Sequence, residues 1–275
     1  MYNYHCQIAG LPELTFSYDN LDLGVKDFVS EIRPYLLDKH IEWFDMLLYS
    51  QTHKAVINYF STGVFEDGLA PFFKQGWFNS EAGESHLLPA YLQRLNNMVL
   101  SRQGEFNSLE MEKLLYQEYY HYLKQSGNGF INNWATLDMN LRNYLTAKEC
   151  EEFEFPKHNQ VVKGGEFADR LLELPVRHKE IKAEWELSEI INSFFDIKNL
   201  AEREMAVDRL RWSLIDELNQ FRYFTIEIIL GYLLKLMIIE RWKELELPAG
   251  PNLVEEISEN IVQGHLTENP IIISG

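Results

Sequence analysis

Two cysteines, Cys6 and Cys150, are all that this chain of 275 residues carries. They form no CxxC unit, so a disulfide framework and a thiolate metal cage are both excluded, and the thiols suit a reducing compartment. Gly (15) and Pro (9) are also scarce, which disfavours a fold rich in tight turns. Positive charge is in the minority, with 25 Lys and Arg against 42 Asp and Glu, for a formal charge of −17. A protein that holds nucleic acid by neutralising phosphates needs the opposite balance, and so does one that docks on anionic lipid. The opening MYNYHCQIAG has no basic start followed by a long apolar stretch, so no secretory signal is expected. The longest strongly apolar run, Phe224 to Ile239, is shorter than the about 20 residues a spanning helix needs and carries Glu227 and Lys235. No transmembrane segment is expected, and the location these absences suggest is cytoplasmic.

What is present is apolar and aromatic: 46% hydrophobic and 13% Phe, Trp and Tyr, enough for a sizeable core. Its spacing is helical almost throughout. Tyr2 to Leu14 reads as a short strand or an extended arm. Val25, Phe28, Val29, Ile32, Leu36 and Leu37 form one stripe, interrupted by Pro34. A helix is expected from His40 to Tyr59, with Asp38 as its N-cap. Residues 61–90 hold several Gly and Pro, but Phe65, Phe72, Phe73, Trp77 and Phe78 make them a packed, irregular segment. Further helices are expected over 87–100, 109–123 and 130–152. Asn107 followed by Glu110 forms a capping-box pattern. After these come 167–174, 181–195 and 202–221, where Val207, Leu210, Leu214, Leu218 and Phe221 keep a 3–4 spacing. The strongest segment, Phe224 to Leu245, is apolar around most of a helical wheel and reads as a buried core helix. A short amphipathic segment follows at Leu253, Ile257 and Ile261.

The fold class is all-α. Pro156 and Gly164-Gly165 suggest a boundary at 153–165. This divides the chain into an N-terminal helical lobe over 1–155 and a C-terminal helical lobe over 156–275, or leaves one continuous domain. Trp134 to Thr146 and Trp212 to Thr225 share W-x-x-x-D and a later Tyr, an echo that suggests either a repeat or chance similarity between two helices.

Chemistry is hard to find. There is no P-loop, no GxGxxG, no GxSxG elbow and no HExxH. Glu118-x-x-His121 puts a carboxylate and an imidazole on one helix face, as di-iron carboxylate bundles do, but those need the pair twice. Glu112 is a nearby acid on the same helix. His40, His53, His158, His178 and His265 lack ligand spacing. Glu151-Glu152 and Glu255-Glu256 read as solvated faces, and Trp134, Trp185, Trp212 and Trp242 as core anchors. No catalytic, cofactor-binding or metal residue is assigned, no cofactor is expected, and the chain reads as a non-enzyme.

NYHCQIAGLPEL (residues 3–14) resembles the opening of a bacterial family of uncharacterised proteins associated with V-type ATPases. So does the middle run Phe130, Trp134, Asp138, Leu141, Arg142 and Asn143. The pattern E-x-x-x-x-Y-x-x-K-L-x-x-x-x-R-W, here Glu227, Tyr232, Lys235, Leu236, Arg241 and Trp242, resembles that family's last helix. The same segment is similar to the last helix of the V-type ATPase central-stalk component named C in bacteria and archaea and d in eukaryotes. The resemblance implies helical bundles in two or three related lobes forming a funnel-like body without an active site. It implies a non-catalytic part of a V-type ATPase or ATP synthase, peripheral at the cytoplasmic face of the membrane, that couples the rotating shaft to the membrane rotor ring. The alternative is a helical adaptor or scaffold with an unrelated partner.

Overall fold

The computed structural model describes residues 3–16, 23–66, 69, 72–78, 84–101 and 106–244. Among them every regular element is a helix and none is a strand. The chain forms two compact units, one of residues 1–47 with 185–275 and the other of 48–184.

The first unit contains α1 (His5–Ala9), α2 (Val25–Ile32), all of α3 (Asp38–Leu48) but its last residue, α10 (Ser188–Phe194), α11 (Leu200–Asn219) and α12 (Ile226–Glu244). The arm expected as a strand or extended is thus a short helix. α12 packs on α11 and α2, and α10 packs on α11. Ile229, Leu230, Leu233 and Trp242 of α12 are buried, with Phe28 of α2 and Phe44 of α3. Gly231 faces α11. A Cβ there would run into Asn219 Nδ2 and stand 3.1 Å from Ile215 Cγ2. Glycine is what lets the two helices approach so closely. No described helix is long and apolar enough to cross a membrane. α12 is apolar because it is covered by protein.

The second unit contains α4 (His53–Thr62), α5 (Ala90–Ser101), α6 (Ser108–Lys124), α7 (Gly129–Glu152), α8 (Glu166–Glu173) and α9 (Lys179–Glu184). α6 is its centre and packs on α4, α5 and α7, while α8 lies on α7. Asn107 caps α6 by accepting a hydrogen bond from Glu110 N at 2.8 Å. Asn128 caps α7 in the same way through Ile131 N at 3.0 Å. Each satisfies an amide that would otherwise lack a partner.

Three helical expectations are cut short. The helix expected from His40 to Tyr59 is α3 and α4, separated by a 3₁₀ turn at Tyr49–Thr52, and Asp38 is its first helical residue. The helix expected over 181–195 is α9 and α10, with buried Trp185 and Leu187 between them. Phe221 continues the 3–4 spacing of α11 but lies beyond its end and is exposed.

The units divide after Leu47 and Glu184, where the sequence pointed to 153–165. That stretch is bonded back onto its own unit. Asn143 Nδ2 donates to Val162 O at 2.8 Å, and Val162 N donates to Asn143 Oδ1 at 2.9 Å. Lys157 Nζ donates to Leu171 O and Leu174 O at 3.0 and 2.8 Å. The segment 253–261, Glu255-Glu256 and His265 lie outside the described residues.

Candidate functional site

Glu118 and His121, the one pair with ligand spacing, are engaged separately. Glu118 is buried on α6 and accepts a hydrogen bond from Arg94 Nε of α5. His121 is exposed and its Nε2 lies 2.8 Å from Gln125 Nε2. Glu112 accepts from Arg142 at 2.6 Å. Among the described residues no three His, Cys, Asp or Glu are grouped to hold a metal ion.

The second unit buries a polar cluster that sequence spacing did not reveal. His53, at the start of α4, is fully buried, and its ring stands edge-on to those of Tyr116 and Tyr119 at 5.3 and 4.5 Å. The Tyr91 hydroxyl lies 3.3 Å from its Nε2. Burial, aided by the Arg142 charge, pushes the imidazole pKa down to about 3 and keeps it neutral. Burial raises Tyr91, Tyr119 and Tyr120 in turn. Tyr120 donates to Asp138 at 2.7 Å, and the Arg142 guanidinium lies 3.7 Å over the Tyr116 ring. Burial opposes the Arg142 cation, but Tyr116, Tyr120 and Glu112 outweigh it and raise its pKa. The cluster is a closed, neutral-histidine core braced by one charged rim.

The first unit buries a carboxylate deeper than Glu118. Asp208 of α11 is 2% exposed. It accepts from Arg211 at 2.9 Å, from Trp242 Nε1 at 2.9 Å, and from Arg241. The Arg-Trp pair at the end of α12 is therefore a clamp on α11. The other charges of that pattern are also matched. Glu227 pairs with Arg222 at 3.4 Å, and Lys235 pairs with Asp216 while its Nζ sits 4.5 Å from the Trp212 ring centre. Tyr232 packs against Phe28, with ring centres 4.9 Å apart.

The Trp134 and Trp212 segments do not share a conformation throughout. Asp138 and Asp216 each take a donor from a neighbouring helix, Tyr120 and Lys235. Tyr144, however, is buried within α7, whereas the matching Tyr223 is exposed beyond α11.

The surface feature that stands out is the corner between α11 and α12. Phe221 and Tyr223 are 81% and 72% exposed. Phe221 and Phe224 adopt left-handed backbone, φ 65° and 57°, which bulky residues rarely do. The corner is nevertheless held firmly. Phe224 O accepts from Tyr4 N at 2.7 Å, and the His5 ring lies 4.1 Å from that of Phe224. Tyr4 is buried, its hydroxyl 2.5 Å from His40 Nδ1 and 3.3 Å from Leu37 N. Arg222 bonds back to Leu218 O at 3.1 Å. Strain that the surroundings enforce at an exposed aromatic site is a pointer to function. Two of the segments that carry the resemblance, the N-terminal arm and the stretch leading into α12, meet here through Tyr4, His5 and Phe224.

Comparison with curated proteins gave no match, and comparison with solved structures gave none either. A family model described as "protein of unknown function (DUF2764)" matches residues 1–265. The chain belongs to the DUF2764 family.

Proposed function

We propose that this chain is a non-catalytic coupling component of a V-type ATPase or ATP synthase that joins the rotating shaft to the membrane rotor ring. In this role it would be similar to the central-stalk component named C in bacteria and archaea and d in eukaryotes. The observation that carries the reading is the corner at 221–224. The N-terminal arm and the last helix are two of the segments that resemble the ATPase-associated family, and they meet at the backbone and ring of Phe224, beside exposed Phe221 and Tyr223. Exposed aromatic side chains on a backbone already held in place suit a protein interface. The α12 pattern supports the same reading, because Asp216, Asp208 and Trp242 tie α12 to α11 as a stiff pair, which a part that transmits torque requires.

The test is affinity purification of the tagged chain from detergent-solubilised membranes of its own host. Shaft and ring proteins should co-purify in fixed proportion. Phe221→Ser with Tyr223→Ser should weaken that association without lowering the melting temperature. An intact ATPase purified without the chain, together with the chain recovered alone, would overturn the proposal.

A further inference from the structure

A second exposed aromatic turn lies in the other unit, and it differs in charge. α7 ends at Glu152, and the chain continues Phe153-Glu154-Phe155. Phe153 and Phe155 are 63% and 57% exposed, with ring centres 6.3 Å apart. Glu154 has φ 58°. Phe155 N donates to Cys150 O at 2.8 Å and Phe153 N to Glu149 O at 2.9 Å. This is a Schellman-type helix end with glutamate where glycine is usual. In that motif the residue after the left-handed position commonly packs against the helix, but here Phe155 points to solvent.

Glu152 and Glu154, which flank Phe153 in sequence, are exposed. The last turn of α7 carries no basic residue. Acids at a helix C-terminus face its negative end and are disfavoured there, where cations are stabilising. The neighbouring Lys157 does not offset them, because its ammonium is turned inward onto Glu151 at 2.5 Å and onto two backbone carbonyls. The turn therefore offers two phenyl rings within a field that an incoming cation would relieve.

We infer that the Phe153–Phe155 turn is a docking site for a cationic amphipathic protein segment, one that lays an apolar side chain across the two rings and Lys or Arg against Glu152 and Glu154. Arg or Lys over a phenyl face adds a cation–π contact to the ion pairs. The inference goes beyond the coupling role and does not depend on it.

The probe is a fluorescein-labelled 18-residue helical peptide of Leu and Lys, titrated with the full chain by anisotropy. The Leu/Glu version is the control. The Lys peptide should bind, and its affinity should fall as salt rises. Phe153→Ser with Phe155→Ser should weaken binding by about tenfold or more. Glu152→Gln with Glu154→Gln should weaken it and flatten the salt dependence. Glu180→Gln with Glu189→Gln, at exposed acids elsewhere, should leave it unchanged. Circular dichroism verifies that each variant is folded, and the glutamate pair tests the site even if the phenylalanine pair fails to fold. Lack of binding, or equal loss from the control pair and none from the phenylalanine pair, would overturn the inference as attraction to an acidic protein in general.

Discussion

Asp208 in the first unit and His53 in the second are both 2% exposed, and the two sites solve that burial in opposite ways. Each buries an ionisable side chain in a helical core. The first keeps Asp208 between two arginines and an indole N–H. The second strips His53 of its charge and surrounds it with tyrosines. A buried ion is tolerable only when paired and hydrogen-bonded, whereas a buried neutral ring needs little more than packing. The first unit therefore depends on partners far apart in sequence and is brittle to the loss of any one. The His53 site depends on shape and should tolerate more chemistry at the same depth, while the buried Glu118 of the same unit is paired with Arg94.

The largest expected effect tests that brittleness. Asp208→Ala leaves Arg241, Arg211 and the Trp242 N–H without their shared acceptor, and should cost about 3–5 kcal/mol. Trp242→Ala removes a core anchor and should cost about as much, 3–5 kcal/mol. Trp242→Phe keeps most of the packing and both arginine bonds to Asp208, and should cost about 1–3 kcal/mol for the one hydrogen bond lost to that charged acceptor. Urea unfolding at neutral pH measures all three. Equal, small losses would mean that the clamp is not what holds α12 to α11.

Next is the close approach of the same two helices. Gly231→Val would press two methyl groups on the Ile215 and Asn219 side chains, for an expected loss of about 1–3 kcal/mol. The second variant Asn219→Ala clears the polar half of that contact and should recover part of the loss. Without recovery, α12 is seated by something other than this crossing.

How much of this could be read beforehand depends on where each signal resides. The all-helical architecture and the span of α12 were legible, because apolar periodicity is local and α12 is apolar for most of its length. The caps at Asn107 and Asn128 are local as well, and the first was visible as a pattern. Helix breaks without Gly or Pro were not legible. The 3₁₀ turn at Tyr49–Thr52 keeps its residues helical in character and changes only the hydrogen-bond register. Phe221 misled because a 3–4 spacing goes on counting after the backbone has left the helix. The stretch 153–165 looks like a linker by composition, and only the bonds from Asn143 and Lys157 reveal that it is packed. The Arg241-Trp242 pair was conspicuous, but its acceptor lies 33 and 34 residues away and nothing local names it. The exposed turns were invisible for a related reason. A phenylalanine carries no mark of whether it will be covered.

The contrast in charge can be broken with acid. Ordinary histidine titrates near 6.5, and His53 in the fold only near 3. Between those values the unfolded chain binds a proton that the folded chain refuses, so stability falls as the pH drops below 6.5. The slope for this one group is about 1.4 kcal/mol per pH unit. His53→Gln keeps an acceptor for Tyr91 and cannot titrate. The stability difference between wild type and variant, measured in urea at pH 7 and pH 5, should move against the wild type at the lower pH. The many carboxylates cancel in that difference. A difference that stays constant would mean that His53 can take up its proton in place, and its site would then hold a charge as the Asp208 site does.

The smallest effect has the opposite sign and concerns the two exposed turns. Glu154 and Phe221 both sit in left-handed backbone that glycine adopts without strain, φ 58° and 65°. Left-handed geometry costs a non-glycine residue about 1–2 kcal/mol, and glycine offsets part of its own gain through the greater freedom of the unfolded chain. Glu154→Gly and Phe221→Gly should therefore each stabilise the fold by about 0.5–1 kcal/mol, a rise of roughly 2–4 °C at most in melting temperature. If both rise, the strain in each turn was carried for what the turn displays, an aromatic corner in one unit and an acidic phenylalanine pair in the other. If only Glu154→Gly rises, the Phe221 side chain itself makes contacts that offset the strain at 221, because the bonds to Tyr4 and His5 belong to Phe224 and stay in place in that variant.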